Sequence, residues 1–269
     1  MAAIDICIPV YNGENYLEQA LASILEQTEH DYRVVVSDNA STDRTAEILA
    51  AWQDRLPLHV VRRERTVPMA QNFNSVLDQV QGAYYMVLCH DDYLYSPQAL
   101  SVARQVLERE ADISAVYCDL AYVSETRRLL ATRRFGREGR FSGEEAGRDS
   151  IGSLRNMFGI PLLVRRTALG TNRYDSSFRY SFDVDLSWQV SRTSPAWHVP
   201  QILIANRYHG GNTTWKLLGG VADEYIRLAA KYGVELTPGS RSKIRLRSWL
   251  GTQKKRVFGA YERIVSNLD

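Results

Sequence analysis

Two adjacent aspartates, Asp91 and Asp92, close an apolar run in "VLCHDDYLY" (Val87–Tyr95), and aromatic residues resume directly after them. Paired carboxylates repel one another, and desolvating either is costly. Such a pair persists where solvent screens it, or where a cation sits against the carboxylates. Two more polar clusters follow apolar runs in the same way. Pro9-Val10-Tyr11-Asn12 ends "IDICIPV", and Asp38-Asn39 follows "YRVVVS".

The segments carrying these clusters alternate between two periods. Ile4–Val10, Tyr32–Ser37, Leu58–Arg62, Ala83–Leu88 and Ile113–Cys118 read as strands. Between them, Glu14–Gln27 places Leu17, Leu21, Ile24 and Leu25 on one helical face. A second helix opens near "ASTDRTAEILAAW" with Ser41 or Thr42 as N-cap. Met69–Gln81 forms a third helix, and Pro97 opens a fourth. This alternation predicts right-handed βαβ crossovers, hence an α/β fold with a mostly parallel sheet flanked by helices. Ligands bind such sheets at the carboxyl ends of the strands, so all three clusters fall on one edge. Beyond Cys118 the pattern loosens. Residues 124–145 predict hairpins or a mobile loop, with structure resuming as a helix near Glu144–Met157, a strand over Ile160–Arg166 and a helix over Phe182–Arg192.

The chain has 269 residues, 45% hydrophobic and 24% charged, with a formal net charge of +2. That balance suits a globular protein and gives no field for a nucleic-acid partner. Three scattered cysteines, Cys7, Cys89 and Cys118, indicate neither a disulfide framework nor a zinc site, which fits a reducing cytoplasm. The opening residues lack the pattern of a secretory signal, and no run is long and apolar enough to span a bilayer.

Together, "IPVYNGENYLEQALASILEQT", "VSDNASTDRTAEIL", "GAYYMVLCHDD", "SFDVDLSW" and "NRYHGGNTT" resemble the family-2 glycosyltransferases in order and spacing over roughly residues 1–215. The resemblance implies the GT-A (Rossmann-like) fold and inverting transfer from a nucleotide sugar, most simply UDP-linked. It divides the chain into a nucleotide-binding half over about 1–118, an acceptor-binding half over about 119–215, and an extension over 216–269. Pro9, Val10 and Tyr11 would lie against the base, with Asp38 hydrogen-bonding it and Asn39 beside it. Asp91-Asp92 would be the DxD-like metal motif, Asp92 holding Mn²⁺ or Mg²⁺ and Asp91 reaching the ribose or the metal shell. Asp183 would be the general base. Arg207 and His209 would meet the diphosphate, His209 also as a metal ligand, and Asn72 falls where the family often places a polar residue near the nucleotide. The acceptor would be a glycan or a lipid-linked sugar, in bacterial surface polysaccharide synthesis.

The chain departs from the family at Asn39, where a second acid is common, and at Cys89-His90, where the first acid of the motif would stand. His90 is either a ligand or a turn histidine facing solvent. Asp183 is either a base or a helix cap, Asn72 either lines the site or sits on the helix surface, and "RYHGGNTT" is either a phosphate-facing loop or an ordinary glycine turn. Transfer to a polyprenyl phosphate and a non-catalytic nucleotide-sugar-binding module are the alternative functions.

The extension ends in a basic amphipathic stretch. Leu246, Trp249, Leu250, Val257, Tyr261, Ile264 and Leu268 form a helical stripe among Arg241, Lys243, Arg245, Arg247, Lys254, Lys255 and Arg256. This composition suits an anionic membrane surface, a helix packed on the domain, or a dimer contact. Gly251 and Gly259 argue against one unbroken helix.

Overall fold

The computed structural model describes residues 2–211 and 217–265, with side chains described as far as residue 253. Asn212, Thr213 and Thr214 of the glycine-containing motif and Leu268 of the C-terminal stripe therefore lie outside the described residues, as do the side chains of Val257, Tyr261, Ile264, Lys254, Lys255 and Arg256.

The chain runs β1 (Ile4–Val10), α1 (Leu17–Leu25), β2 (Tyr32–Asp38), α2 (Thr45–Trp52), β3 (Leu58–Arg62), α3 (Met69–Leu77) and β4 (Tyr84–Val87). Then follow β5 (Tyr93–Leu94), α4 (Ala99–Arg109), β6 (Ala115–Val123), β7 (Leu129–Arg133), β8 (Gly139–Phe141) and α5 (Gly143–Ser153). The remainder comprises β9 (Pro161–Arg165), α6 (Arg166–Leu169), α7 (Phe182–Ser191), β10 (Ala196–Arg207), a 3₁₀ turn (Leu218–Gly220), α8 (Val221–Lys231) and α9 (Pro238–Val265).

Ten strands form one sheet in the order β3-β2-β1-β4-β9-β6-β10-β5, with β7 beside β6 and β8 beside β10. The first four strands are parallel, as the alternation requires. From β9 onward the sheet is mixed: β9 runs antiparallel to both β4 and β6, while β6 and β10 are parallel. The stretch predicted as hairpins or a loop does form two short strands, each antiparallel to its neighbour in the sheet.

Both faces of the sheet are covered, so β1 is buried along its whole length. Ile4, Ile6, Ile8 and Val10 join the core beneath α1, α2 and α4, while Cys7 on the opposite face meets Val76 of α3. A second core gathers Tyr85, Tyr117, Phe158 and Trp188 beneath α5, α7 and α8. Here α5 approaches α7 closely, because a Cβ on Gly147 would lie 2.2 Å from the Trp188 ring and one on Gly143 would lie 2.1 Å from the Ser191 carbonyl oxygen. Trp188 stacks on Tyr232 with centroids 4.0 Å apart and donates its Nε1–H to Glu144. Val221, Tyr225 and Leu228 bind α8, the first helix of the extension, into this core.

Three local expectations change. The second helix begins at Thr45, not near Ser41, because Asp43 takes the turn, accepting from the Thr45 N–H and hydroxyl. Pro97 precedes a short turn, and the fourth helix begins at Ala99. The C-terminal helix runs without a break through Gly251 and Gly259, 28 residues in all. The cost of about 1 kcal/mol per helical glycine is small against the many residues favouring helix there.

Candidate active site

The carboxyl ends of β1 and β2 are laced together by polar side chains. Asn12 adopts a left-handed backbone (φ 50°), its N–H donates to Ser41 Oγ at 2.9 Å, and its side-chain oxygen accepts from the Thr42 N–H. The Gly13 N–H donates to Thr45 Oγ1 at 2.8 Å and the Glu14 N–H to Asp43 at 2.9 Å. Gly13 is required for the close approach, since a Cβ there would lie 2.6 Å from Val10 and 3.1 Å from the His90 ring. His90 sits under this turn, where burial pushes its pKa down and the Pro9 carbonyl accepts its ring N–H. It is half-buried between the β1 end and the paired aspartates.

Asp38 is buried. One carboxylate oxygen accepts from the Ser41 N–H at 2.9 Å; the other lies 3.5 Å from Arg62 Nε and has no hydrogen-bond partner among the described residues. An acceptor held out of water without a donor is costly unless a ligand supplies one. Tyr11, 47% exposed, stands beside it, and Val10 is buried beneath. Asn39 spends its side chain within the protein, pairing with both backbone groups of Val67 at 2.9 Å. Asn72 is likewise buried rather than on the helix surface, accepting from Ser37 Oγ at 2.7 Å and donating toward the Val10 and Ser37 carbonyls.

The two aspartates at the end of β4 face different ways, and β10 decides which. Tyr93 and Leu94 pair antiparallel with Ala205 and Ile204, so Asp92 falls opposite Asn206 and Asp91 opposite Arg207. Asp92 turns inward, accepting from the Arg207 backbone N–H at 2.9 Å and from Asn206 Nδ2 at 3.0 and 3.2 Å. Burial, then the Asp91 charge, pushes its carboxyl well above the usual range. Asp91 turns toward His209, whose Nε2 lies 2.9 Å from Asp91 Oδ2. Burial alone would raise the Asp91 carboxyl, but the hydrogen bond from His209 and the nearby His90 outweigh it and hold it low. Arg207 is also buried. Its donors go to the Asp91 and Glu125 carbonyls and to Gln19, each at 2.8 Å, and its guanidinium lies over Tyr16 and Tyr93. Three of the five guanidinium N–H donors are thereby directed to protein acceptors.

Cys89 joins Asp91 and Asp92 in a cluster whose ligand atoms all lie within 4.8 Å of one another. Burial, then the charges of Asp92, Asp91 and Asp183, pushes the thiol far up, so it stays protonated and offers a poor ligand. Asp183 is near enough for its charge to act on the Cys89 thiol. It lies in the first turn of α7, where Asn156 Nδ2 donates to Oδ2 at 2.8 Å and the Val184 N–H to Oδ1 at 2.8 Å. Burial raises its carboxyl against these bonds. Asp185 points away, into Gln189, Lys231 and Tyr232.

Several residues here carry no local sequence signal. Asn156 is fixed by the Phe158 and Gly159 N–H groups, and Arg133 donates to its carbonyl. Glu224 of α8 reaches the loop before α7, where its carboxylate accepts from the Arg179, Tyr180 and Ser181 N–H groups at 2.8–3.1 Å and from the Ser181 hydroxyl. An element from the far end of the chain thereby sets the start of the helix that carries Asp183. Tyr16 packs on His209 with centroids 4.7 Å apart. The Glu224, Arg133 and Tyr16 contacts are tertiary, whereas the Asn156 side chain closes a local turn on Phe158 and Gly159.

An open α/β sheet with acidic residues gathered at its carboxyl edge is shared by several enzyme classes, and comparison with known proteins distinguishes among them. Residues 5–171 match the model for glycosyl transferase family 2, and the chain belongs to that family. It is 27% identical over 238 residues to an uncharacterized glycosyltransferase of Rickettsia typhi, covering 87% of this chain and 72% of the relative. Residues 1–349 of S. aureus TarS in complex with UDP-GlcNAc share the fold with a TM-score of 0.63 and 17% identity, over 90% of this chain and 70% of that one. A mannosyltransferase of Pyrobaculum calidifontis in complex with GDP-Man and Mn²⁺ gives 0.62 and 16%, over 93% and 70%. Against a longer TarS chain, the match spans 42% of that protein. The fold is therefore GT-A and the chain a glycosyltransferase.

Proposed function

We propose that this chain is a metal-dependent, inverting glycosyltransferase that moves a sugar from a UDP-linked donor to a hydroxyl of a glycan or lipid-linked acceptor. The assembly it serves is a bacterial surface polysaccharide, made at the cytoplasmic face of the plasma membrane. The observation that carries this reading is the meeting of Asp91 and His209, 118 residues apart in sequence, at the sheet edge that also holds Asp38 and Asp183.

The donor set fits a divalent cation. Asp91, Asp92 and His209 would hold Mn²⁺ or Mg²⁺, hard ions that take carboxylate oxygen and few protein ligands, and Asp92 also fixes the loop on which Asp91 stands. When bound, such an ion offsets the charge that develops on the leaving diphosphate. Val10 and Pro9 would form the floor of the base site and the Tyr11 ring its stacking surface. The unpartnered oxygen of Asp38 suits an N–H such as that of uracil. Asp183 would take the proton from the attacking hydroxyl, its carboxylate oriented by Asn156. One base acting opposite the leaving group gives inversion.

The reading is tested by calorimetry of UDP, GDP and dTDP with and without Mn²⁺, on wild type, Asp91→Ala and Asp92→Asn. Tight binding of UDP alone, strengthened by metal and losing that enhancement in Asp91→Ala on the order of 100-fold, supports it. Binding that ignores metal, or a Asp91→Ala variant with the wild-type response, overturns the metal assignment. Preference for GDP replaces the donor class.

A further inference from the structure

The first half of α9 uses one face to hold the domain. Ile244 is buried in the second core, Arg247 donates to the Gly152 carbonyl, Arg245 pairs with Asp223, and Thr252 reaches Leu218. Leu246, Trp249 and Leu250, spaced i, i+3 and i+4, lie on the opposite face. They are 58%, 59% and 45% exposed, so these three residues of the stripe expected from the sequence face away from the domain. Lys243 is exposed beside them.

Charge is divided along the chain as sharply as exposure is along this helix. Residues 238–269 hold eight Lys and Arg and two Asp and Glu, a net of +6, out of 33 and 31 for the whole chain. The remaining residues hold 25 and 29 and are therefore net −4. An apolar centre with a tryptophan, set among cations of one sign, matches the boundary between anionic headgroups and acyl chains. Two copies of the same face would bring +6 against +6, which disfavours a second copy as the occupant. No helix among the described residues is long and apolar enough to cross a membrane, so the contact is with the surface.

We infer that Leu246, Trp249 and Leu250 enter the surface of an anionic phospholipid bilayer, held there by the basic residues of α9. This deepens the peripheral location proposed above and rests on it only for the identity of the acceptor. Because α9 is seated on α5 and α8, the bilayer contact is rigidly tied to the elements that set α7 and Asp183.

The test is co-sedimentation of the full chain with vesicles of phosphatidylcholine alone or mixed with phosphatidylglycerol, across a salt series. Wild type is expected to pellet with the mixed vesicles, to release as salt screens the attraction, and to ignore phosphatidylcholine alone. The triple change Leu246→Ser, Trp249→Ser, Leu250→Ser is expected to weaken binding at least tenfold, and Lys243→Glu to weaken it less. Circular dichroism and UDP binding of both variants should match wild type, since the substituted side chains lie on the solvent face. Wild type remaining in the supernatant at low salt, binding both vesicle types equally, or a triple variant that pellets like wild type overturns the inference. A dimer in light scattering that the triple change dissolves, without vesicle binding, assigns the stripe to a second copy. Loss of UDP binding with vesicle binding intact would instead overturn the donor reading alone.

Discussion

The edge of the sheet is built in two ways. At the ends of β1 and β2, partners come from adjoining βαβ turns: Asn12 to Glu14 bind Ser41 to Thr45, about one crossover away. Around Asp91 and Asp183, partners come from distant elements: Asn206 to Asp92 spans 114 residues, His209 to Asp91 118, and Glu224 to Ser181 43. The first region, on the proposed reading, would present backbone and short polar side chains to a planar base. The second must place carboxylates of differing ionisation near one another, and no single loop supplies both the burial and the donors that this needs. The ends of β1 and β2 are thus stabilised locally, whereas the surroundings of Asp183 depend on the seating of α5, α7 and α8.

If that division holds, variants on the two sides should separate binding from turnover. The largest effect is expected for Asp183→Asn, with kcat falling by about 10²–10⁴ while UDP affinity stays as in wild type. Steady-state kinetics beside calorimetry measures both, and equal loss of binding and turnover would break the division. Next, Asp38→Asn replaces an acceptor by an amide and should weaken UDP binding by about 1–3 kcal/mol, on the order of ten- to a hundredfold in Kd. Asp183-dependent turnover at saturating donor should be preserved.

Glu224→Ala leaves three backbone N–H groups without their carboxylate. A stability loss of about 3 kcal/mol by urea denaturation is expected, with kcat reduced and nucleotide affinity unchanged. Glu224→Gln should recover part of both, and a Kd that shifts with kcat would place Glu224 in the wrong region. The smallest effect is on the pH profile. Burial raises the Asp183 carboxyl, so the base protonates, and kcat falls on acidification, at a higher pH than an ordinary aspartate would impose. An acid limb within the usual aspartate range would mean that solvent reaches this carboxylate in the working enzyme.

The same contrast explains what could be read in advance. The positions of β1 to β4 follow from period-two apolar runs and their spacing from helical ones, and Asp38 and Asp91 stand at strand ends for that reason alone. Helix starts were less legible. Ser41 and Thr42 have the chemistry of an N-cap, but the Ser41 hydroxyl accepts from the Asn12 N–H, the Thr42 N–H donates to the Asn12 side chain, and Asp43 forms the turn. Gly251 and Gly259 are poor helix residues whose cost is distributed over a helix of 28 residues. Helix α8, with Glu224, has an amphipathic pattern but nothing that marks its carboxylate as the support of another helix.

Local patterning, acting through backbone geometry, determined the parallel half of the sheet, the carboxyl edge as the place of the polar clusters, and the separation of Asp183 from Asp185. Tertiary structure decided which aspartate of the pair faces His209, because that rests on the pairing of β5 with β10 across more than a hundred residues. It also turned Arg207 inward and Leu246, Trp249 and Leu250 outward. A helical stripe specifies that residues share a face, but burial of Ile244 on the other side is what left that face to the surroundings.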